Sequence, residues 1–286
     1  MVFPLREPYD VAAQPTISAA PVKLGRAIVV TSGKGGVGKT TTTANLGTAL
    51  AKRGVSVALV DADVGLRNLD ILLGLESRVR YHLLDVLEEK AELDDALVRD
   101  KHTPNLYLLA AAQAREKDEV DTESMRDLIE ELRERFDYVL IDCPAGIEMG
   151  FKNAVVGAQE AIVVCTPEVS AVRDVDRVVG LLGNAFQPKL IINRVRPQLV
   201  RKGKMLSVED VNSILRLPLL GVIADDPDVI VSTNKGDPIA LRTDSQVGNA
   251  YHSIAARVAG EDVPAPMVEY KETFMDKLGS FLGGRR

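Results

Sequence analysis

The sequence predicts an α/β fold in which a mostly parallel central sheet is flanked by helices on both faces. A short β-branched run at 27–31 leads through a glycine-rich loop into a segment, 40–52, whose apolar residues recur at helical spacing. Further aliphatic runs alternate with amphipathic segments, which is the pattern of parallel sheets. The length of 286 residues and the aliphatic-rich, aromatic-poor composition suit one large domain with an ample core.

Each element is predicted from its own pattern of apolar residues. Strands are expected at 27–31, 55–60, 105–109, 138–142, 161–166, 189–194 and 219–223. Helices are expected at 40–52, at 123–135, at 170–182, after the capping residue Ser207, and from 248 to 258. The stretch from 78 to 136 is predicted to be helical on both sides of its strand.

The chain is expected to have four parts. Residues 1–24 contain four prolines and no apolar core of the length that a signal peptide needs, so we expect a disordered leader. Residues 25–260 form the predicted domain, and 261–269, with Pro264 and Pro266, are predicted to be a linker. Residues 270–286 are the C-terminal tail. No apolar run in the sequence approaches the length needed to span a bilayer.

Residues 33–40, Gly-Lys-Gly-Gly-Val-Gly-Lys-Thr, fit the phosphate-loop pattern between a strand and a helix. The pattern indicates a P-loop NTPase that binds a nucleoside triphosphate, because glycines let backbone N–H groups approach phosphate oxygens. Lys39 is expected to reach the β- and γ-phosphates, and the Thr40 hydroxyl to coordinate Mg²⁺. A glycine turn without a ligand is the alternative. The residues predicted to bind nucleotide here are Gly35, Gly36, Val37, Gly38, Lys39, Thr40 and Thr41.

Carboxylates follow two of the predicted strands. Asp61 and Asp63 lie at the end of the second strand, and Asp142 ends the near-continuous apolar run 138–142. In an open parallel sheet the carboxyl ends of the strands form the edge where ligands bind. Asp142 therefore has the form of a Walker B aspartate, which holds Mg²⁺ through a water. The alternatives are that Asp61 and Asp63 cap a turn and that Asp142 only ends a strand.

A second lysine, Lys34, lies inside the loop, although a minimal phosphate loop does not require one. With it the sequence resembles the deviant Walker A (ParA/MinD) family, which is marked by K-G-G-x-G-K-[TS]. The resemblance implies that Lys34 reaches across a dimer interface to the partner's nucleotide and so links ATP binding to dimerisation. A solvated loop lysine is the alternative.

Two further segments resemble the cell-division branch of this family. They are residues 61–70, with Asp-x-Asp followed by Gly-Leu-Arg-Asn-Leu-Asp, and residues 142–146, Asp-Cys-Pro-Ala-Gly. The resemblance implies that Asp63 orients the attacking water while Asp61 supports the Mg²⁺ shell. Family members also use an Asn for adenine at the position of Asn193, whose amide offers both a donor and an acceptor.

The resemblance implies a function for the whole chain. It predicts a slow, partner-stimulated Mg²⁺-dependent ATPase that dimerises on ATP, binds the inner face of the membrane from the cytoplasm and positions the division site. Its expected partners are a MinC-like septum inhibitor and a MinE-like or other regulator. In relatives the segment that corresponds to 172–174 lies where regulators dock, although a solvated helix face is the default interpretation.

The tail carries an apolar stripe at helical spacing. Such a short helix is marginal in water, but at an anionic membrane surface it would bury the stripe. The net charge from 269 to 286 is only about +1, so one copy is expected to bind weakly and two copies far better. Packing of the tail on its own domain is the alternative. The predicted membrane-binding residues are Phe274, Met275, Leu278, Phe281 and Leu282.

Charge and composition limit the other function classes. The net charge is −6, so the molecule as a whole is not expected to bind nucleic acid as its main partner. A basic stretch leaves open a DNA-segregation or cargo-positioning ATPase on the nucleoid, with a solvated loop as the simpler interpretation. A scaffold that binds ATP without hydrolysis is the third class. Cys143 and Cys165 form no disulfide framework, which favours a reducing cytosol. The basic residues are Arg194, Arg196, Arg201, Lys202 and Lys204.

Overall fold

The computed structural model describes residues 24–268 apart from 66, 113–120, 145, 147–148 and 184–185. In this part of the chain eight strands form one sheet in the order β3-β4-β2-β5-β1-β6-β7-β8, which confirms the predicted α/β class. The strands are β1 Arg26–Thr31, β2 Val57–Asp61, β3 Val98–Arg99, β4 Leu106–Leu109, β5 Tyr138–Asp142, β6 Glu160–Cys165, β7 Lys189–Val195 and β8 Leu219–Ala224.

All neighbouring strands pair in parallel except β3, which is antiparallel to β4 at one edge of the sheet. The sequence did not predict β3, because two residues are too few to show a period. The seven predicted strands are all present. All of them except β8, which is at the edge of the sheet, are central strands buried on both faces, which explains their near-continuous apolar runs.

Helices cover both faces of the sheet. The helices of 13 and 14 residues match the predicted positions to within two residues, and the helix after Ser207 is present. Two helices of seven and eight residues, at 149–155 and 227–234, were not predicted, and those of four and five residues are too short to show an apolar period. The helices are α1 Lys39–Ala51, α2 Leu69–Leu73, α3 Leu83–Leu87, α4 Leu93–Ala96, α5 Thr122–Arg135, α6 Met149–Val155, α7 Val169–Leu182, α8 Pro197–Arg201, α9 Val208–Leu215, α10 Pro227–Asn234 and α11 Gln246–Val258. None of these helices is long and apolar enough to cross a membrane.

The core consists of two large apolar layers, one on each face of the sheet. Successive side chains of a strand point to opposite faces, so each central strand contributes to both layers. In β5, Val139 and Ile141 pack in the layer with α5 and α7. Tyr138 and Leu140 pack in the layer with α1 and α11. This double burial fixes the positions of the strand ends that carry the polar residues.

The stretch 261–268, the described part of the predicted linker, packs against β8. Its composition is that of a linker, but the Val222 N–H donates to the Pro266 carbonyl at 2.8 Å. The Arg257 guanidinium also donates to the Val263 carbonyl, and to that of Leu219 at 3.1 Å. These bonds satisfy part of the open edge of the sheet, since β8 is its last strand.

Candidate nucleotide site

The candidate site lies at the carboxyl edge of the sheet, where four strands deliver polar groups. In the parallel ladder Asp61 of β2 is directly opposite Asp142 of β5, and Val30 of β1 is opposite Asp142 on the other side. The glycine-rich loop follows β1 immediately. Strand register thus brings the two carboxylates and the loop together, as the pattern of strand ends predicted.

Two glycines of the loop are required by its geometry. Gly38 precedes α1 with φ +98°, a left-handed conformation that side chains with a Cβ rarely adopt. A Cβ on Gly38 would also lie 2.4 Å from Nδ2 of Asn193. A Cβ on Gly33 would lie 2.2 Å from the carbonyl carbon of Asp174 in α7. The loop is therefore held between β7 and the first turns of α7.

A cavity of about 370 Å³ opens over the N-terminus of α1. Lys39 is buried at its base, and Asp63 faces the same cavity from the loop after β2. Backbone N–H groups at a helix N-terminus, together with the helix dipole, favour an anion such as a phosphate. The loop residues that line the cavity are Gly35, Gly36, Gly38, Lys39, Thr40 and Thr41.

Asp142 lies beneath this cavity and is almost completely buried. Thr43 Oγ1 donates to Asp142 Oδ1 at 3.1 Å. Burial raises the pKa of Asp142, while a hydrogen bond from Thr40, the charge of Lys39 and the bond from Thr43 oppose that rise. Thr43 follows Lys39 by one helical turn, and no local pattern in the sequence predicts its contact with Asp142.

Asp61 is the second buried carboxylate, and burial followed by the charge of Asp142 raises its pKa. Its side chain accepts hydrogen bonds from three backbone N–H groups, those of Asp63 at 3.1 Å, Asn68 at 3.3 Å and Leu69 at 3.2 Å. Asp61 therefore holds the loop after β2 and the start of α2 in place. This is the turn-capping role that the sequence left open.

The donor set fits Mg²⁺. Two buried carboxylates and the hydroxyl of Thr40 supply hard oxygen ligands, and a cation would relieve the repulsion that raises the pKa of Asp61. Mg²⁺ keeps several waters and substrate phosphates as ligands, so one or two protein oxygens are enough to hold it.

A second cavity, of about 230 Å³, adjoins the first and suits the nucleotide base. Asn193 faces it, but the amide is already engaged. Nδ2 donates to the Val37 carbonyl at 2.8 Å, and Oδ1 accepts from the Arg194 N–H at 2.9 Å. An adenine contact would have to use the remaining N–H and lone pair. The predicted role of Asn193 stays a prediction, as do the other residue roles. Asp225 and Asp226, in the loop after β8, also line this cavity.

Lys34 points away from both cavities. Its Nζ lies 3.4 Å from Ser170 Oγ and 3.6 Å from a carboxylate oxygen of Glu168, at the start of α7, and its side chain is 45% exposed. Within one chain the second loop lysine is thus placed at the surface, beside its own α7. Its predicted contact with a partner's nucleotide requires a second subunit.

Other predicted features lie outside the first cavity or outside the residues that the structure describes. Residues 1–23 and the tail residues Phe274, Met275, Leu278, Phe281 and Leu282 are outside the described residues. In the basic stretch, Arg196 Nε donates to Asp225 Oδ2 at 2.5 Å, and α8 begins at the next residue. On the polar face of α7, the side chains of Arg173, Asp176 and Arg177 are exposed.

A comparison with protein families decides the identity of the domain. The model of the CobQ/CobB/MinD/ParA nucleotide-binding domain matches residues 28–239, from β1 to the turn after α10. The chain belongs to the MinD/ParA family. Relatives within it agree with this assignment. The chain is 57% identical over 244 residues to the septum site-determining protein MinD of Synechocystis sp., covering 84% of this chain and 92% of that protein.

Solved structures of the family have the same fold. A chain of the MinC:MinD cell division protein complex of Aquifex aeolicus is 45% identical, with a TM-score of 0.79 over 86% of this chain and 100% of that one. MinD of Pyrococcus horikoshii, complexed with Mg-ADP, is 34% identical, with a TM-score of 0.75 over 82% of this chain and 96% of that one. These likenesses place the chain in the MinD branch of the family.

Proposed function

We propose that this chain is an ATP-hydrolysing dimerisation switch that binds the inner membrane surface in its ATP state and positions the cell-division site. One observation carries the proposal: in a chain of the MinD branch, the phosphate loop and Asp63 line one cavity, and the buried Asp142 is hydrogen-bonded to Thr43 of the helix that follows the loop.

The cavity supports ATP hydrolysis with Mg²⁺. Lys39 would bind the β- and γ-phosphates, and Thr40 would coordinate the cation, with Asp142 behind it through a water. Mg²⁺ supplies charge neutralisation of the phosphate oxygens. Asp63 lines the same cavity, and its carboxylate would orient the attacking water. The Pyrococcus horikoshii relative complexed with Mg-ADP supports this choice of ligand.

Dimerisation would bring Lys34 to the nucleotide of the partner subunit. The exposed side chain makes a hydrogen bond and an ion pair at the surface, which are weak and easily exchanged. A triphosphate offers more charge than Glu168 and Ser170 do, so ATP favours the cross-subunit position. The ATP-bound dimer then presents two tails to the membrane, whose joint binding is far stronger than that of one.

The partners are assigned from the relatives in the MinD branch of the family. The Aquifex aeolicus relative is in complex with MinC, so we assign a MinC-like septum inhibitor as the partner of the ATP-bound dimer. A MinE-like regulator would stimulate hydrolysis. The exposed polar face of α7 supports docking of both close to Lys34, because Lys34 contacts the first residues of that helix.

A DNA-positioning ATPase built on the same switch has less support. Its phosphate contacts would come from the basic stretch, but Arg196 is paired with Asp225. Fewer free cations mean a weaker electrostatic contact with DNA phosphates.

Vesicle co-sedimentation of the full chain tests the proposal. Anionic vesicles should carry down the protein with Mg-ATP, and far less with Mg-ADP. Leu278→Asp, in the apolar stripe, should abolish sedimentation, whereas Asp276→Asn, between the stripe residues, should not. Sedimentation that ignores the nucleotide, or binding to plain duplex DNA with ATP instead of vesicles, would overturn the proposal.

A further inference from the structure

Arg194 lies where the phosphate cavity meets the base cavity. Three residues line both cavities, Gly38, Thr41 and Arg194, and Arg194 is the charged one among them. A nucleotide whose β- and γ-phosphates lie at Lys39 and whose base lies near Asn193 must place its α-phosphate and ribose at this junction. The guanidinium is therefore beside the α-phosphate and ribose, together with Thr41, which the sequence already predicts to bind nucleotide.

The backbone of Arg194 is in an unusual conformation. Its φ is +57°, in the left-handed region that residues other than Gly seldom adopt. The pairing of β7 with β8 shifts register between Ile192 and Val195, so this residue leaves the ladder. The Arg194 N–H is held by Asn193 Oδ1, and the Asn193 amide is held by the Val37 carbonyl of the loop. Through these two hydrogen bonds the phosphate loop holds the backbone of Arg194 in place near the end of β7. Strain of this kind is concentrated at ligand sites.

The Arg194 guanidinium is exposed, and in the described part of the chain no carboxylate forms an ion pair with it. The two carboxylates that line the base cavity interact with other groups. Asp225 pairs with Arg196 at 2.5 Å, and Asp226 accepts the backbone N–H of Asp228 at 2.9 Å to cap α10. An exposed guanidinium at the rim of an anion site attracts a phosphate, which its planar fork can bind with two hydrogen bonds.

We infer that the Arg194 guanidinium binds the α-phosphate of the nucleotide, and that Asn193 is the positioning residue that ties Arg194 to the phosphate loop. This inference rests on the proposed function, since it assigns a further contact at the same site. It predicts that ATP and ADP depend on Arg194 equally, because both carry an α-phosphate. It also predicts that Asn193 acts on nucleotide affinity through Arg194.

Calorimetric titration of the full chain with Mg-ADP and Mg-ATP tests the inference. Arg194→Gly removes the side chain and keeps the backbone, because glycine adopts this φ without strain. Its affinity for both nucleotides should fall by about ten-fold or more, the size of a lost charge-assisted hydrogen bond. The midpoint temperature of thermal unfolding, measured without nucleotide, should not fall. Lys202→Gln, an exposed cation of the same stretch outside both cavities, should leave the affinity unchanged.

Salt separates a phosphate contact from packing on the base. The difference between the wild type and Arg194→Gln should shrink between about 50 and 500 mM salt, as an exposed ionic contact does. A loss that is independent of salt would assign Arg194 to the base, and a loss for ATP alone would assign it to the γ-phosphate. Either result, or an unchanged affinity, overturns the inference. If the wild type bound no nucleotide, the proposed function would fail instead.

Discussion

Lys34 Nζ lies 3.4 Å from Ser170 Oγ of its own chain, so the second lysine of the phosphate loop contacts the first turn of α7. Glu168, the residue that precedes α7, adds an ion pair at 3.6 Å. The loop and α7 are also in close contact at Gly33 and Asp174. A movement of Lys34 toward a partner's nucleotide would therefore break contacts with α7, on the helix where we place the docking of partners.

Lys34→Ala should abolish ATP-dependent dimerisation while the monomer still binds nucleotide. The reason is that Lys34 lies outside the cavity, whereas Lys39 lies at its base. Light scattering with Mg-ATP gives the mass, and calorimetry gives the affinity. Lys52→Ala, an exposed lysine after α1, is the matched control and should still dimerise. A dimer of normal affinity from Lys34→Ala would remove this lysine from the switch.

Asp63→Ala should slow ATP hydrolysis by about 100-fold, the usual effect of losing a group that positions or activates water. It should still dimerise with Mg-ATP, because phosphate binding depends on the loop and on Lys39. Phosphate release and light scattering on the same samples separate the two effects. Glu76→Ala, an exposed carboxylate beyond α2, serves as the control. Unchanged turnover would assign the water to another residue.

Asp61→Ala and Asp61→Asn should differ in stability. Alanine removes the acceptor of three backbone N–H groups, two of them, those of Asp63 and Leu69, at buried positions, which costs about 1–3 kcal/mol even without nucleotide or Mg²⁺. Asparagine keeps an acceptor oxygen and removes the repulsion from Asp142, so it should unfold near the wild-type urea midpoint. Equal midpoints for the two variants would contradict the capping role.

Local patterns predicted the strands and the loop. β5 matches its predicted bounds to the residue, because a continuous apolar run ends at a single carboxylate. Ser207 caps α9 as predicted, with the Asp210 N–H donating to its hydroxyl at 3.0 Å. These features depend only on neighbours in sequence, which is why they can be read from it.

Contacts between distant segments could not be predicted. One N–H of the Asn193 amide donates to the Val37 carbonyl, which is 156 residues away in sequence. The interaction of Lys34 with Ser170 spans 136 residues. Both contacts depend on how the phosphate loop packs against β7 and α7. The local spacing of apolar residues does not predict that packing. α2 was missed for another reason, since five residues carry too little pattern.

Cys143 and Cys165 should not react with thiol reagents in the native protein. Burial raises the pKa of each thiol to about 12, and both side chains are inaccessible to solvent. The reactive thiolate is therefore absent at pH 8. Titration with a dithiopyridine should detect no thiol before urea unfolding and both thiols after it. Rapid labelling of the native chain would show that these strand ends open readily.

Glu160→Gln should destabilise the domain in a pH-dependent way. Arg26 donates to both Glu160 oxygens, at 2.6 and 2.7 Å, between the starts of β1 and β6. Burial opposes ionisation, but the bonds and charge of Arg26 hold the pKa of Glu160 below its usual 4.5. A lowered pKa stabilises the fold above that usual value, and the contribution is lost as the pH falls through the folded-state pKa.

The substitution should therefore cost about 1 kcal/mol at pH 7, after allowance for solvent screening of this half-exposed pair. Urea unfolding at pH 7 and at about pH 3 measures the change, and the difference between variant and wild type should narrow at the lower pH. Glu131→Gln, whose partner Arg135 is 3.4 Å away on the surface of α5, should cost less than about 0.5 kcal/mol at either pH. A Glu160→Gln effect that does not change with pH would mean that packing, and not the charge, stabilises this contact.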